Sequence, residues 1–525
     1  MNFVEGQTVG IDLGTSTTTV SQLDSQGEPA VLLNAAGEAF TPSVVILGDE
    51  GRVTVGPSGN WMNAADPERV IVGVKRQMGN AEYVKQVAGR ALNAEFLSAL
   101  VLMKVKQDAE RSIGAIRNAV ITVPYYFNDP CRRATMNAGQ IAGLNVIDLL
   151  NEPTAATLAY AWTQGELGKA ERQERERTIL VYDLGGGTFD VTVVRYSNSH
   201  FRVIATDGDT FLGGLDWTRR LVNHVAELFK LTFRMDPREE GRARLALTEE
   251  CDEAKRLLSQ NVESVHEFQF RDKKLKWGIT RGEFEKLTAD LLQRTRDTTE
   301  FVMDAAEVDP QTLDDIVLIG GSTYMPMVHN MLFKLCGRKP SMVLDPQKAV
   351  AQGAAIHAAI LEARHGGGRS KQSQAVLQRL ASVTSTDVNS HSLGIEITEP
   401  GQPDKKRNHI MIPRNTALPT QKEQRFVTNL ANPQGIKVRL LEGEARDAAA
   451  CTFIGDFRIT GLPPNLPVGS PVEVVYRYGE NRSLEVRARE LTGNNQAKVE
   501  IRWTEGAHSV SVDQSKQLMA DYRVD

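Results

Sequence analysis

Cysteine is scarce in this chain of 525 residues. Cys131, Cys251, Cys336 and Cys451 lie far apart, with no CxxC pair and no histidine at ligand spacing. That pattern argues against a disulfide framework or a zinc site and for free thiols in a reducing compartment. An excess of positive charge is lacking too: 61 Lys and Arg face 66 Asp and Glu, for a net charge of −5. No basic footprint for nucleic acid or an anionic membrane results. No apolar run approaches the roughly 18 residues of a membrane span. The N-terminal stretch has neither a basic region nor a long apolar one, so no signal peptide is expected and a cytoplasmic location is the default. Aromatics make up only 6%, yet 41% of the chain is apolar, enough for a large core without staples. The length suggests about three or four folding units.

Up to about residue 365, short β-branched runs such as "AVITVP" (119–124), "TILVYDL" (178–184) and "DIVLIGG" (315–321) alternate with helical stretches such as "LSALVLMKVKQDAERSI" (97–113). This alternation predicts an α/β architecture with helices covering the sheets. At "RHGGGRSKQSQ" (364–374) the texture turns to that of a flexible linker. Beyond about 387, short, evenly spaced strands with Pro and Gly turns predict an all-β sandwich of roughly 115 residues. The boundaries expected are 1–366, 367–386 (linker), 387–505 (sandwich) and 506–525, a tail forming one frayed turn of helix.

Two stretches of the first region repeat each other. "GIDLGTSTTTV" (10–20) and "VYDLGGGTFDVTVV" (181–194) each place an aspartate and glycine turn inside an apolar hairpin. Gly14 and Gly185, Gly186 and Gly187 allow positive φ and close backbone approach, so successive N–H groups can converge on an anion. Thr15, Ser16, Thr17 and Thr188 add hydroxyls. Asp12 and Asp183 are costly in a dry core but suit a hydrated Mg²⁺ on phosphates. A single such turn reads equally as a tight hairpin with a solvated aspartate; two at domain spacing point to a phosphate cleft with pseudo-symmetry. "VLIGGSTYMPMV" (317–328) runs through Gly320 and Gly321 into a helix start that offers donors to a nucleotide. Glu152 opens the Pro153-initiated helix of "LLNEPTAATLAYA" and is either a cleft carboxylate or a cap. Lys75 in "VGVKRQMG" is on its own an ordinary exposed lysine.

Together with "AVITVPYYFND", "IAGLNVIDLLNEPTAA", "GDTFLGGLDW" and "DPQKAVAQGAA", these segments in this order resemble the Hsp70 (DnaK-type) chaperone family over roughly residues 7–505. The resemblance implies an actin/hexokinase-like two-lobed ATPase domain followed by a β-sandwich that binds peptide. It implies ATP or ADP with Mg²⁺, and K⁺ as a further candidate ion. Asp12 and Asp183 match carboxylates that hold the hydrated magnesium. Thr15 and Thr188 match hydroxyls near the γ-phosphate, Lys75 the lysine that positions the attacking water, and Glu152 an acid acting through metal-bound waters, with Asp190 lining the pocket. Lys255, Arg256 and Ser259 match adenosine contacts, Asp252 stands where the family usually has Glu, and Gly320, Gly321 and Ser322 match the phosphate and adenosine loop. Pro124, Arg132 and Asp387 match an interdomain relay. Ile395, Ile397, Phe426, Ile436 and Val438 match peptide-pocket positions, though each alone reads equally as sandwich core. Phosphoryl transfer needs positioning and charge compensation, in agreement with these residue types.

Departures from the family pattern bear on coupling more than on chemistry. Tyr324 replaces an arginine on the adenine face, where its ring can still stack. Gln347 and Lys348 replace an acidic pair, and the segment between Gly79 and Pro124 is short. The linker carries Thr384, Ser385 and Thr386 where the family has apolar residues; burying one leucine is worth about 1.5–3 kcal/mol, comparable with a typical allosteric coupling of about 1–3 kcal/mol. Thr398 and Asn429 make the arch over the peptide polar, and the chain stops where the family's helical lid begins. Expected partners are unfolded or extended polypeptides, a J-domain co-chaperone and a nucleotide exchange factor, with no nucleic acid and no membrane. The polar linker keeps open a nucleotide-gated scaffold with little turnover; a phosphotransferase or an actin-like filament on the same fold fits the appended sandwich poorly.

Overall fold

The computed structural model describes residues 3–56, 66–87, 89–167, 176–197, 199–365, 374–399, 401–431, 433–479, 483–493, 496–501 and 512–525. Two compact units emerge. Met1–Phe201, Thr206–Thr384 and His508–Asp525 make the first, and Arg202–Ala205 with Ser385–Ala507 make the second.

The first unit is mixed α/β and holds two sheets built to one plan. In one, the order is Asn145–Asn151, Ile116–Val123, Gln7–Leu13, Thr17–Leu23, Pro29–Leu32. In the other, Asp315–Ile319, Arg177–Leu184 and Phe189–Tyr196 follow one another in the same way. Each motif-bearing strand pairs antiparallel with the strand after its turn and parallel with a later strand, Ile116–Val123 or Asp315–Ile319. The sequence repeat is therefore a repeat of topology. A strand like Ile116–Val123, buried except at Arg117, has to read as a continuous apolar run because parallel strands are covered on both faces.

The Ala349–His365 helix is apolar around most of its circumference, and it is buried accordingly, between the first sheet and the Glu152–Thr163 helix. Small residues make this approach possible. A Cβ on Gly10 would collide with the backbone of Ala354 and Ala355, and one on Gly353 with the carbonyl of Ala155. Glu152 is thus set in place by a glycine crossing two hundred residues further along the chain.

The stretch expected to be a flexible linker is partly built. Residues 366–373 lie outside the described residues, but Gln374–Ala381 is helical and packs on Ala349–His365. Leu380 and Val383 are buried, and the Arg379 guanidinium lies 5.0 Å from the Trp162 ring centroid while donating to the Leu167 carbonyl. Apolar anchoring has moved upstream of the polar positions. Thr384, with an exposed side chain, is held by a backbone bond that needs no apolar side chain: its N–H donates to the Ser199 carbonyl at 2.7 Å.

The tail is also more than one frayed turn. Val512–Met519 is helical, and Arg523–Val524 adds a strand to the small sheet of Arg52–Val55, Val45–Leu47 and Val70–Ile71.

The second unit is a sandwich of two antiparallel four-stranded sheets. One runs Gln402–Ile412, Leu393–Glu399, Ile436–Glu442, Thr452–Ile459; the other runs Thr420–Val427, Pro471–Tyr478, Leu484–Glu490, Gln496–Ile501. Its core holds Leu393, Ile412, Leu440, Val474, Tyr476 and Val486. Gly353→Ala is expected to cost about 1–3 kcal/mol through overpacking, read as a lower thermal midpoint; an unchanged midpoint would contradict the helix crossing.

Candidate active site

The ends of both motif hairpins, one helix start and one 3₁₀ turn converge in the first unit. Asp12 is the penultimate residue of the Gln7–Leu13 strand, and Asp183 that of Arg177–Leu184. Asp190 lies directly across the antiparallel ladder from Asp183. Like charges facing each other across a ladder destabilise it, so their retention there calls for a neutralising group. Glu152 is the first residue of its helix, and Lys75 sits in the Val74–Gln77 turn.

Lys75 is only 5% exposed, and its Nζ donates to Glu152 Oε1 at 2.6 Å. Its chain also passes the Phe127 ring, 5.8 Å from the centroid. Burial works against the lysine charge, but Glu152 and Asp12 outweigh it and hold its pKa above the ordinary value. Lys75 therefore stays an ammonium, able to donate but not to act as a base.

The carboxylates move the other way. Burial, then Glu152, pushes Asp12 up to about 7 against the pull of Lys75 and of Thr122, whose hydroxyl donates to it at 3.2 Å. Burial, then Glu152, pushes Asp190 up to about 8. Asp183 rises well above the usual carboxylate range through burial, then Glu152, Asp190 and Asp12. One ammonium faces four carboxylates.

Oxygens of Glu152, Asp183 and Asp190 lie within 4.8 Å of one another, and Asp190 Oδ2 is buried without a hydrogen-bond partner. A hard oxygen set with surplus negative charge fits Mg²⁺ or another hard cation.

The two glycine turns meet face to face. A Cβ on Gly186 would strike Ser16 Oγ, and one on Gly187 would strike the Thr15 side chain. Gly14, Gly185, Gly186 and Gly187 do not take positive φ, in contrast to Gly320 (φ 84°); contact with the facing turn excludes a Cβ at Gly186 and Gly187, and at Gly14 the Thr17 carbonyl of its own hairpin does so. Thr15 and Thr188 are both buried at this junction.

On the far side, Ser322 Oγ donates to the Gly185 carbonyl at 2.9 Å. Lys255 Nζ donates to Asp252 at 2.5 Å, to Thr218 at 2.8 Å and to the Gly214 carbonyl at 3.2 Å. Gly321 lies beside Gln347. Those residues come together. Arg256 is largely exposed, 3.5 Å from Asp252; Ser259 turns back onto the Lys255 carbonyl at 3.4 Å; and the Tyr324 hydroxyl donates to Asp345 at 3.0 Å with its ring partly exposed.

Pro124 ends the Ile116–Val123 strand just before Tyr126, whose N–H donates to Asp190 at 3.3 Å. Arg132 donates to Asn151 at 2.9 Å and so braces the residue preceding Glu152. In the sandwich, Ile395 and Val438 belong to the closed core, while Ile397, Phe426 and Ile436 pack half-buried against it. Asn429 donates to Thr398 at 3.3 Å, and the Asp387 carbonyl accepts from the Leu418 N–H at 2.9 Å.

Sequence reasoning missed Arg76. Its Nε donates to the Gly187 carbonyl at 2.7 Å and its guanidinium pairs with Asp216, which itself accepts the Gly213 N–H at 2.9 Å. This clamp joins the Lys75 turn to the Gly185–Gly187 turn. Only the neighbourhood of Lys75 hinted at Arg76; no local pattern links it to Asp216.

Comparison with known proteins matches this arrangement to one family. A model described as Hsp70 protein matches residues 8–88 and 81–523. "Chaperone protein DnaK" of Thermotoga petrophila is 37% identical over 98% of this chain and 83% of its own length. The proteins of the same name from Halobacterium salinarum and Thermosipho melanesiensis are 34% and 35% identical over 98% of this chain, covering 77% and 82% of theirs. The chain belongs to the Hsp70 family. It is an ATP-dependent chaperone of that type and an ATPase.

The raised carboxyls carry a sign. Each keeps its proton to a higher pH folded than unfolded, so the folded state binds more protons between about 4 and about 8, and stability is lost as pH rises through that window. In metal- and nucleotide-free protein, Asp190→Asn should therefore gain thermal stability relative to the parent as pH goes from 5 to 8. A constant difference across that range would contradict the packing of the cluster.

Proposed function

We propose that the Lys75–Glu152 cluster hydrolyses ATP by water attack on the γ-phosphate and that the resulting change between two actin/hexokinase-like lobes governs peptide binding in the sandwich. The observation that carries this reading is the buried Lys75 ammonium held 2.6 Å from Glu152 among four carboxylates. Asp12 and Asp183, with Glu152 and Asp190, would hold Mg²⁺, with K⁺ as a second candidate. That ion, when bound, supplies charge compensation for the phosphate oxygens.

The chain's own residues do the rest. Lys75, kept protonated by Glu152 and Asp12, donates to the attacking water and orients it. Thr15 and Thr188 present hydroxyls beside the terminal phosphate, and the backbone N–H groups of Thr15–Ser16 and Gly186–Gly187 would face the phosphate oxygens. Arg76, bound to Gly187 and Asp216, keeps the two turns closed over the reacting end. Gly214, Lys255, Asp252 and Ser322 border the adenosine, with the Tyr324 ring on the base. Positioning and charge together account for phosphoryl transfer without a covalent intermediate.

In the sandwich, Ile397, Phe426 and Ile436 offer one apolar pocket to an extended peptide, which would also bond through its backbone. The Thr398–Asn429 hydrogen bond closes a polar arch over it. A J-domain co-chaperone and a nucleotide exchange factor complete the cycle. Four cysteines that form no disulfide suit a cytoplasmic location. Family membership favours turnover over a static scaffold.

Lys75→Ala is expected to slow single-turnover hydrolysis at least about 10²-fold while ATP binding stays measurable; an unchanged rate would sink the assignment. An unfolded peptide should stimulate single-turnover hydrolysis in the full chain, and Phe426→Ala should blunt that response. Equal rates with and without peptide would favour a scaffold. The full chain is the right material, since Met519 is part of the first unit's core and a truncation at 366 would remove it.

A further inference from the structure

In the sandwich, the Gln402–Ile412 strand carries three cations in a row, Lys405, Lys406 and Arg407. Adjacent residues of a strand face opposite ways, so Lys406 and Arg407 meet different neighbours. Arg407 lies 3.5 Å from Glu399, a carboxylate that also accepts from Arg446 at 2.9 Å. Glu396, on the same strand as Glu399, pairs with Arg439 at 3.0 Å. The acids of the Leu393–Glu399 strand are thus already paired. Lys406 stands directly across the ladder from Thr398, and its Nζ donates to Thr398 Oγ1 at 2.8 Å. Its side chain is exposed, and no carboxylate among the described residues pairs with it.

Thr398 Oγ1 also accepts the Asn429 side-chain amide at 3.3 Å. A hydroxyl has two acceptor lone pairs and one hydrogen. With both lone pairs taken, Thr398 has its O–H left, and no acceptor among the described residues receives it. The Lys406 ammonium keeps further N–H donors beyond its one bond, and the Asn429 amide keeps its second N–H. Three side chains therefore meet at one oxygen with donors to spare and one unbalanced positive charge. An oxyanion with several lone pairs completes such a cluster, and a carboxylate is the protein group of that kind. Thr398 follows Ile397, and Asn429 comes three residues after Phe426. The cluster thus borders the half-buried Ile397, Phe426 and Ile436.

We propose that Lys406, with Thr398 and Asn429, selects extended segments that carry an aspartate or glutamate side chain beside the apolar residue they bury. This rests on the reading of Ile397, Phe426 and Ile436 as the peptide pocket. An extended segment turns successive side chains to opposite sides, so the neighbour of the buried anchor points out of the pocket, toward the arch. There a carboxylate accepts from the ammonium and from the Thr398 hydroxyl. A glutamine brings no charge to balance Lys406, and a lysine opposes it. Lys406 carries the selection rather than Arg407 or Arg439, because those guanidiniums already face Glu399 and Glu396. The ammonium is exposed, so the preference is modest in size and falls with salt.

Fluorescence anisotropy with the full chain and MgADP tests this with three peptides built on one leucine-rich core. They carry Glu, Gln or Lys beside the leucines and are capped at both ends, so that no chain terminus supplies charge. At low salt the Glu peptide should bind at least about threefold more tightly than the Gln peptide, with the Lys peptide weakest. Salt at about 1 M should erase that order. Lys406→Met should abolish the preference for Glu over Gln, and Lys406→Arg should keep it. Equal binding of the Glu and Gln peptides by the parent overturns the proposal, and so does a preference that survives Lys406→Met. A Gln peptide with a free C-terminal carboxylate that binds as tightly as the Glu peptide also overturns it, by assigning the donors to a chain end. Failure of the pocket reading would show separately, as parent affinity for the Gln peptide in Phe426→Ala. A parent that binds none of the three peptides overturns both.

Discussion

The buried ion pair of Lys75 with Glu152 is the contact around which the first unit is arranged. A lysine taken out of water survives as an ammonium only if carboxylates surround it, and carboxylates brought that close raise one another's pKa. The result is a knot with more negative than positive charge, and folding alone leaves it short of positive partners. Each element that enters the knot does so by its end: strand termini, a helix start, a 3₁₀ turn. The ends are where backbone donors are free, so a charged cleft and a supply of N–H groups for phosphate arise from the same packing.

Glycine permits this convergence at three levels. Gly10 and Gly353 let the Ala349–His365 helix sit close enough to set the start of the Glu152–Thr163 helix. Gly186 and Gly187 let one hairpin turn touch Ser16 and Thr15 of the other. Gly51 lets the returning tail reach the small sheet that flanks the lobe. The first two crossings determine where the charges stand, and the third makes room for the 512–525 segment. Arg76 then spans from the Lys75 turn to Gly187 and Asp216, so opening the cleft means breaking a charge-assisted clamp.

Much of this was legible from residue order. The duplicated aspartate–glycine hairpins announced two sheets of one topology, because apolar alternation around a turn is a local signal. The all-β character of the last third was legible for the same reason. Other features were not local. Asp183 and Asp190 face each other only once the strands pair, and the Arg76–Asp216 clamp joins residues with no shared pattern. A glycine run suggests positive φ, whereas at Gly186 and Gly187 the constraint is the closeness of Ser16 and Thr15 in the facing hairpin, which no local stretch reveals. The helix Gln374–Ala381 follows a glycine run that suggested a flexible linker, and its order comes from Leu380, Val383 and the Arg379–Trp162 stack. The tail's own sequence supports no more than a frayed turn, since so short a helix is marginal alone; burial of Met519 supplies what it lacks.

The central claim is that nucleotide state at the Lys75–Glu152 cluster controls how tightly the sandwich holds an extended segment. It is tested most directly by the dissociation rate of a fluorescent, extended apolar peptide from the full chain. The peptide complex is mixed with MgATP in one arm and MgADP in the other. The account predicts release at least tenfold faster with ATP, and equal rates in the two arms would contradict it.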